Sequence, residues 1–339
     1  MTKPGFLEQA HVLVSKHINE TKHEIIAELA DSLGIEIKLI VAEGGLTQQD
    51  LDAIDIAFFS RDVFIQPDGL SAKEDTRLFF RMLDACSHLK WLHIFSAGSD
   101  RPKYRELQDR GVVITTSQAA SGAAVATSAL AGILALNKRL PWHYENQRAR
   151  RWRTVPDEFC PLALEGQTAV VVGTGNIGAA LARSLQSLNL HTIGVNRRGV
   201  AVAGFDKTIP LGQLDGVIGK ADWLVICCPL TDETRNLIDA RRLACLPRTA
   251  HLVNVGRGGI VDESALIRWL REKRLSGAYL DVFDTEPLPP DSEIWALENV
   301  MLTPHSAARV SDFNERVFTC FFDNLQRWLV GSPLVNIAA

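Results

Sequence analysis

The sequence predicts an α/β protein made of two parallel-sheet lobes, and three observations carry that expectation. Short β-branched or aromatic runs alternate with amphipathic stretches along most of the chain. A glycine-rich turn falls between two such units near the middle of the chain, at Gly173. The 339 residues, 46% hydrophobic and 22% charged, provide for about two domains with a core each.

The runs HVLVS, EIKLIVAE, DIAFFS, KWLHIFS and GVVITT predict the strands of the first lobe. HEIIAELADSL, TQQDLDAI and DTRLFFRMLDACSHL carry helical spacing between them, which argues for βαβ units. Residues 111–137 include no charged side chain, a stretch long enough to span a bilayer. Its Ala, Gly, Ser and Thr content predicts instead a strand and then a buried small-residue helix near 123–137. TAVVVG, LHTIGVN, ADWLVICCP, TAHLVNVG, GAYLDVF and NVMLTP predict a second sheet, with AALARSLQSLN and ESALIRWLREKR among its helices. A last amphipathic stretch, SDFNERVFTCFFDNLQRWLV, predicts a helix near 312–329 that returns to the first lobe and makes it discontinuous.

Composition narrows the function classes. A formal net charge of −4 argues against nucleic acid as a partner. Six cysteines without a C-x-x-C pair indicate neither a zinc site nor a disulfide framework, and reduced thiols fit the cytoplasm. No apolar h-region opens the sequence, so neither a signal peptide nor a membrane partner is expected. His11, His17 and His23 lack ligand spacing, so no metal is expected.

Gly173, Gly175 and Gly178 follow one strand and open a helix, with Asn176 and Ile177 between the last two. The first glycine permits the tight turn, the second lets backbone approach a pyrophosphate, and the third allows close helix–strand packing. The helix N-terminus offers free N–H groups to the phosphates. This lobe is therefore read as a Rossmann-like dinucleotide-binding unit. At the end of the next strand Asn196, eighteen residues past Gly178, stands where an Asp or Glu would accept the ribose 2′-hydroxyl. Arg197 and Arg198 follow it. Arginine forks hold a 2′-phosphate by charge-assisted hydrogen bonds. NADP(H) is expected as the preferred cofactor and NAD(H) as the second; a solvated arginine pair at a strand end is the alternative.

Three later segments carry polar residues at apolar strand ends: LVNVGRGGIVDE with Arg257, YLDVFDTEPLPP with Asp281 and Glu286, and VMLTPHSAA with His305. With GTGNIG and CCPLTDETRNLI they resemble the D-isomer-specific 2-hydroxyacid dehydrogenases, nearest to the glyoxylate/hydroxypyruvate reductase branch. The resemblance covers the chain from KWLHIFSAGSD to the end. It implies two Rossmann-like lobes: a discontinuous flavodoxin-like substrate domain, residues 1–118 and 309–339, and an inserted NAD(P)-binding domain, residues 119–308.

The chemistry suits those residue types. Arg257, charged at any working pH, can pair with the carboxylate of a 2-oxo acid and polarise its carbonyl. His305 can donate a proton to the carbonyl oxygen as hydride arrives, with Glu286 orienting its ring and stabilising the imidazolium. The resemblance assigns these same roles. It further implies that backbone amides of Ala97 and Gly98 hold the substrate carboxylate, an ordinary tight turn being the alternative. Cys228, Pro229 and Thr234 would line the adenine and ribose side and Val255 the nicotinamide side. Asp281 would hold the nicotinamide carboxamide, or else cap a strand end. Cys227 and Cys228 are otherwise read as inert buried thiols.

The basic run NQRARRWR is implied to form an arm on a second subunit, making a homodimer through the cofactor domain, with Trp152 as an anchor; a solvated basic surface is the alternative. Arg101–Pro102 and Thr127 depart from the commoner family pattern, which bears on the substrate and not on the reaction. A dinucleotide-dependent binding protein, like the C-terminal binding protein corepressors of the same fold, is the second reading.

Overall fold

Strand register organises each half of the chain. The computed structural model describes residues 9–65, 71–157 and 160–338. It divides into two units: residues up to Ser121 together with those from Val310 onward, and Gly122–Arg309 between them.

In the first unit, β1 (Gln9–Val14), β2 (Glu36–Val41), β3 (Ile56–Phe59), β4 (Trp91–Ile94) and β5 (Val113–Thr116) form a wholly parallel sheet in the order β2-β1-β3-β4-β5. This is the flavodoxin-like order. Helices α1 (Lys16–Leu33), α2 (Gln48–Ala53), α3 (Arg61–Phe64), α4 (Lys73–Ala85) and α5 (Pro102–Asp109) connect the strands. Strands β3 and β4 are buried at every residue, as parallel strands covered on both faces must be.

Helix α6 (Gln118–Asn137) runs from the first unit into the second. It is long and apolar enough to cross a membrane. Its Val125, Ala126, Ala129, Ile133 and Leu136 are nevertheless core residues of the second unit, packed with Val171, Val253 and Tyr279. Helix α7 (Leu140–Arg148) follows, so the basic run that sequence places on an arm begins within a helix and leaves it after Arg148.

The second sheet comprises β6 (Thr168–Val172), β7 (His191–Asn196), β8 (Lys207–Pro210), β9 (Trp223–Ile226), β10 (His251–Asn254), β11 (Gly277–Leu280) and β12 (Val300–Leu302). All pairs are parallel, in the order β12-β11-β10-β9-β6-β7-β8. This is Rossmann-like, with the strand order reversing between β6 and β9. Helices α8 (Asn176–Ser187), α9 (Ala240–Cys245) and α10 (Glu263–Arg271) belong to the same unit. Strand β8 carries no sequence signal because it is an edge strand on which only Ile209 is buried.

Helix α11 (Phe313–Leu329) rejoins the first unit. Its Phe321 stacks on Phe58 of β3 at 4.3 Å and on Trp91 of β4 at 5.6 Å between ring centroids. Beneath these rings lies a polar chain. Trp91 Nε1 donates to Thr115 Oγ1 at 2.8 Å, and His93 bonds Thr115 Oγ1 at 2.7 Å and Ser117 Oγ at 2.9 Å. Ser117 Oγ donates to the Ile94 carbonyl, so it accepts from His93 Nε2–H, and Nδ1 accepts from Thr115. Every member is satisfied with the ring neutral, and burial pushes the His93 pKa down to about 3.

Candidate active site

The point where the second sheet reverses its order is built by three glycines and two cysteines. Gly173 has φ +105, and a Cβ there would lie 2.6 Å from the Cys228 amide nitrogen. A Cβ on Gly178 would lie 2.0 Å from the Gly173 carbonyl oxygen. Both positions therefore exclude any side chain. Cys227 Sγ reaches the same carbonyl at 3.1 Å. Burial raises both thiols, Cys228 to about 12 and Cys227 further, which suits packing groups and not nucleophiles. Gly175 differs: a Cβ there would meet no protein atom within 4 Å. Protein packing does not demand its missing side chain, whereas close approach of a pyrophosphate would. Helix α8 starts at Asn176, next to Ile177, with no side-chain cap on its first amides. The residues present thus fit a dinucleotide phosphate.

At the end of β7 the Asn196 side chain folds its own loop. Its Nδ2 donates to Thr174 Oγ1 and the Val200 carbonyl, at 3.0 and 2.8 Å, and its Oδ1 accepts the Arg198 and Val200 amides. Arg197 and Arg198 are exposed, and Arg197 Nε lies 3.4 Å from Glu233 Oε2. Glu233 belongs to the loop after β9, which Thr234 closes by donating to the Pro229 carbonyl at 2.8 Å and accepting the Thr231 amide at 2.7 Å. Sequence reasoning did not single out Glu233.

Beyond β10, buried Val255 hydrogen-bonds the Ile226 carbonyl. Asn254, also buried, accepts the Gly256 amide at 3.1 Å and donates to the Arg257 carbonyl at 3.0 Å. The arginine therefore leaves the sheet from a pinned turn. Asn254 was legible only as the polar residue closing an apolar strand.

The Glu286 and His305 side chains meet, with Oε2 2.6 Å from Nδ1. Glu286 Oε1 accepts the Phe283 amide at 3.0 Å. Burial alone would raise the Glu286 carboxyl. The His305 hydrogen bond and charge, the Phe283 amide and the Arg257 guanidinium outweigh it and hold the carboxyl below its usual value.

His305 itself has φ +48, a left-handed backbone that costs a non-glycine residue about 1–2 kcal/mol. Asp281 holds it there. The Asp281 carbonyl accepts the His305 amide at 2.9 Å, and Asp281 Oδ1 accepts Thr303 Oγ1 at 2.5 Å, Ser306 N at 2.8 Å and Ala307 N at 3.1 Å. Among the described residues, Oδ2 shares only the Ala307 amide. Asp281 thus ties down the turn that carries His305.

Ala97 and Gly98 follow β4 in the first unit, where Ser96 Oγ donates to the Gly98 carbonyl at 2.8 Å. Among the described residues, no three His, Cys, Asp or Glu side chains gather as a metal site would need.

Residues 130–307 match the family model described as "D-isomer specific 2-hydroxyacid dehydrogenase, NAD binding domain". The chain is 33% identical over 262 residues to a glyoxylate reductase of Thermofilum pendens, covering 75% of this chain and 77% of that protein. A D-isomer specific 2-hydroxyacid dehydrogenase from Xanthobacter autotrophicus, solved with NADPH and MES, is similar in structure: TM-score 0.74, 28% identity, covering 97% of this chain and 98% of that one. An NADPH-dependent glyoxylate/hydroxypyruvate reductase from Sinorhizobium meliloti, solved with NADP and sulfate, gives TM-score 0.75 at 26% identity, covering 97% and 98%. The chain belongs to the D-isomer specific 2-hydroxyacid dehydrogenase family, and it is an NAD(P)-dependent oxidoreductase.

Proposed function

We propose that this protein reduces a small 2-oxo acid, of the size of glyoxylate or hydroxypyruvate, to the D-2-hydroxy acid, with NADP(H) preferred. The observation that carries the reading is the 2.6 Å contact between Glu286 and His305 on a turn clamped by Asp281. His305 commits Nδ1 to Glu286, so the transferred proton sits on Nε2, which gives it to the carbonyl oxygen during reduction and takes it back in the reverse direction. Arg257, fixed through Asn254, binds the substrate carboxylate and draws electron density from the carbonyl. In the first unit, the backbone amides of Ala97 and Gly98 are candidates for holding a substrate carboxylate.

Bound at Gly173, Gly175, Asn176, Ile177 and Gly178, the dinucleotide supplies the hydride. Asn196, Arg197 and Arg198 would hold its 2′-phosphate, Cys228, Pro229 and Thr234 its adenosine side, and Val255 its nicotinamide side. Asp281 Oδ2, with one amide shared with Oδ1, has capacity for the nicotinamide carboxamide as well. The relatives solved with NADPH or NADP support the cofactor reading. Residues 119–308 would form the cofactor domain, and 1–118 with 309–339 the substrate domain. A homodimer through the cofactor domain, with the basic run at 146–153 as the arm and the exposed Trp152 as its anchor, is proposed. Six free cysteines fit a cytoplasmic enzyme.

Oxidation of NADPH and NADH, followed with glyoxylate, hydroxypyruvate, pyruvate and phenylpyruvate, tests the reading. NADPH should be consumed fastest with the smaller acids. Tight cofactor binding with no turnover of any of the four would point to a binding protein instead.

A further inference from the structure

We propose that Ser128 of α6 and Tyr279 of β11 are positioning residues for the turn that presents His305; the proposal rests on His305 being the proton donor. A non-glycine residue in a left-handed conformation keeps it only where its surroundings over-determine it. The Asp281 carboxylate is one restraint on that turn, and α6 supplies two more.

Two connections lead from the turn to the helix. In the first, Thr303 Oγ1 lies 2.5 Å from Asp281 Oδ1 and 2.9 Å from the Tyr279 hydroxyl. The Thr303 hydroxyl has one hydrogen, and the carboxylate, which already accepts two backbone amides, takes it. The Tyr279 hydroxyl must therefore donate to Thr303. This gives a directed chain from Tyr279 through Thr303 to Asp281. Burial raises the Tyr279 pKa, so the donor keeps its proton through the working range. The Tyr279 ring in turn rests on Gly132 of α6, where a Cβ would come within 2.5 Å of two ring carbons. Glycine inside a helix is otherwise unfavourable, so its place here fits the close approach of that ring.

In the second connection, Ser128 Oγ donates to the Ala307 carbonyl at 3.0 Å. Residues 128 and 132 are four apart, so they share one face of α6. That face grips the turn twice: through Tyr279 to its carboxylate anchor, and through Ser128 to its last carbonyl. Asp281 fixes the turn from the strand side, and α6 fixes it from the helix side. Misplacement of a proton donor by about 1 Å is enough to cost up to a hundredfold in rate. The two hydroxyls accordingly act on catalysis through the geometry of His305, without touching the reacting atoms in this scheme.

The test uses the full-length enzyme with Tyr279→Phe, Ser128→Ala, Ser128→Thr and His305→Ala, assayed with NADPH and glyoxylate. Tyr279→Phe removes a single oxygen and leaves the ring on Gly132. Tyr279→Phe and Ser128→Ala should each lower kcat about tenfold while the KM for NADPH moves less than about twofold. The solvent deuterium isotope effect on kcat should rise in both, because proton transfer becomes slower relative to the other steps. Ser128→Thr keeps the hydroxyl and should recover most of the lost rate. Unchanged kcat and isotope effect in both variants, beside an inactive His305→Ala, would overturn the positioning role alone. So would a loss of rate that merely follows a loss of thermal stability at constant isotope effect. If His305→Ala itself retained full turnover, the proton-donor reading would fail first, and the positioning role with it.

Discussion

His305 Nδ1 and Glu286 Oε2 stand 2.6 Å apart, and the second Glu286 oxygen takes the Phe283 amide at 3.0 Å. The carboxylate is therefore held at both oxygens, and the imidazole it orients has one nitrogen left for chemistry. In the proposed mechanism, a carboxylate fixed in this way selects the tautomer that leaves Nε2 for proton transfer.

Removing either partner should be felt in turnover before it is felt in binding. His305→Ala is expected to lower kcat by about 10²–10⁴, the span that positioned acid–base groups contribute. Glu286→Gln, which keeps the shape and loses the charge, should fall between wild type and that variant. Cofactor affinity, measured by quenching of protein fluorescence, should stay put in both; equal loss of affinity and turnover would indicate that His305 has a structural role.

The ribose end of the site predicts a change in cofactor choice. Arg197→Ala should raise the KM for NADPH about tenfold or more, the loss expected for one charge-assisted hydrogen bond, with NADH little changed. Asn196→Asp combined with Arg197→Ala should shift preference toward NADH. Glu233→Gln frees Arg197 from its exposed partner and should favour NADPH by a few-fold at most, because surface pairs are worth about 0–1 kcal/mol. An unchanged NADPH-to-NADH ratio across all three would remove these residues from the site.

His93 predicts how the first unit responds to acid. Its folded pKa, about 3, lies below the unfolded value of about 6.5. The unfolded chain therefore binds the proton first. The stability that the neutral ring contributes is complete above pH 6.5 and is lost progressively as pH falls toward 3. For this one group the loss is on the order of 1 kcal/mol by pH 5.5. Urea unfolding between pH 7.5 and 5 should show that slope in wild type, and a shallower one in His93→Gln whatever its absolute stability. Parallel slopes would show that the ring titrates normally.

The segment after α7 predicts self-association. Trp152 is fully exposed at 102%, and Leu140, Tyr144 and Leu162 are exposed as well. A stable pair of subunits buries about 1,600 Å² in total, with large aromatic side chains as anchors. Sedimentation should show a dimer for wild type and dissociation at low concentration for Trp152→Glu. A monomer in wild type would leave this as a solvated surface.

The glycine turn was readable because its chemistry is local: Gly173, Gly175 and Gly178 fall within six consecutive residues, and the strand before and helix after follow from their own periodicity. Arg257, Glu286 and His305 were readable as polar residues ending apolar strands, in an order that matched a family. Asn254, Thr303 and Tyr279 were passed over because each looks like an ordinary strand residue until its partner is known. Edge strand β8 was passed over because a single buried residue makes no pattern.

What the sequence determined by itself is whatever is set by neighbours along the chain. That includes two alternating α/β halves, the turn that admits a phosphate, and the residue types at the strand ends. What only the tertiary structure decided is which of those residues support one another. Ser128 and Ala307 are 179 positions apart and joined by one hydrogen bond, and Asp281 reaches forward to Ser306 and Ala307 across β12. The physical reason is directional. A hydrogen bond forms only within about 3 Å and along a narrow range of angles, so it depends on packing that no local pattern encodes.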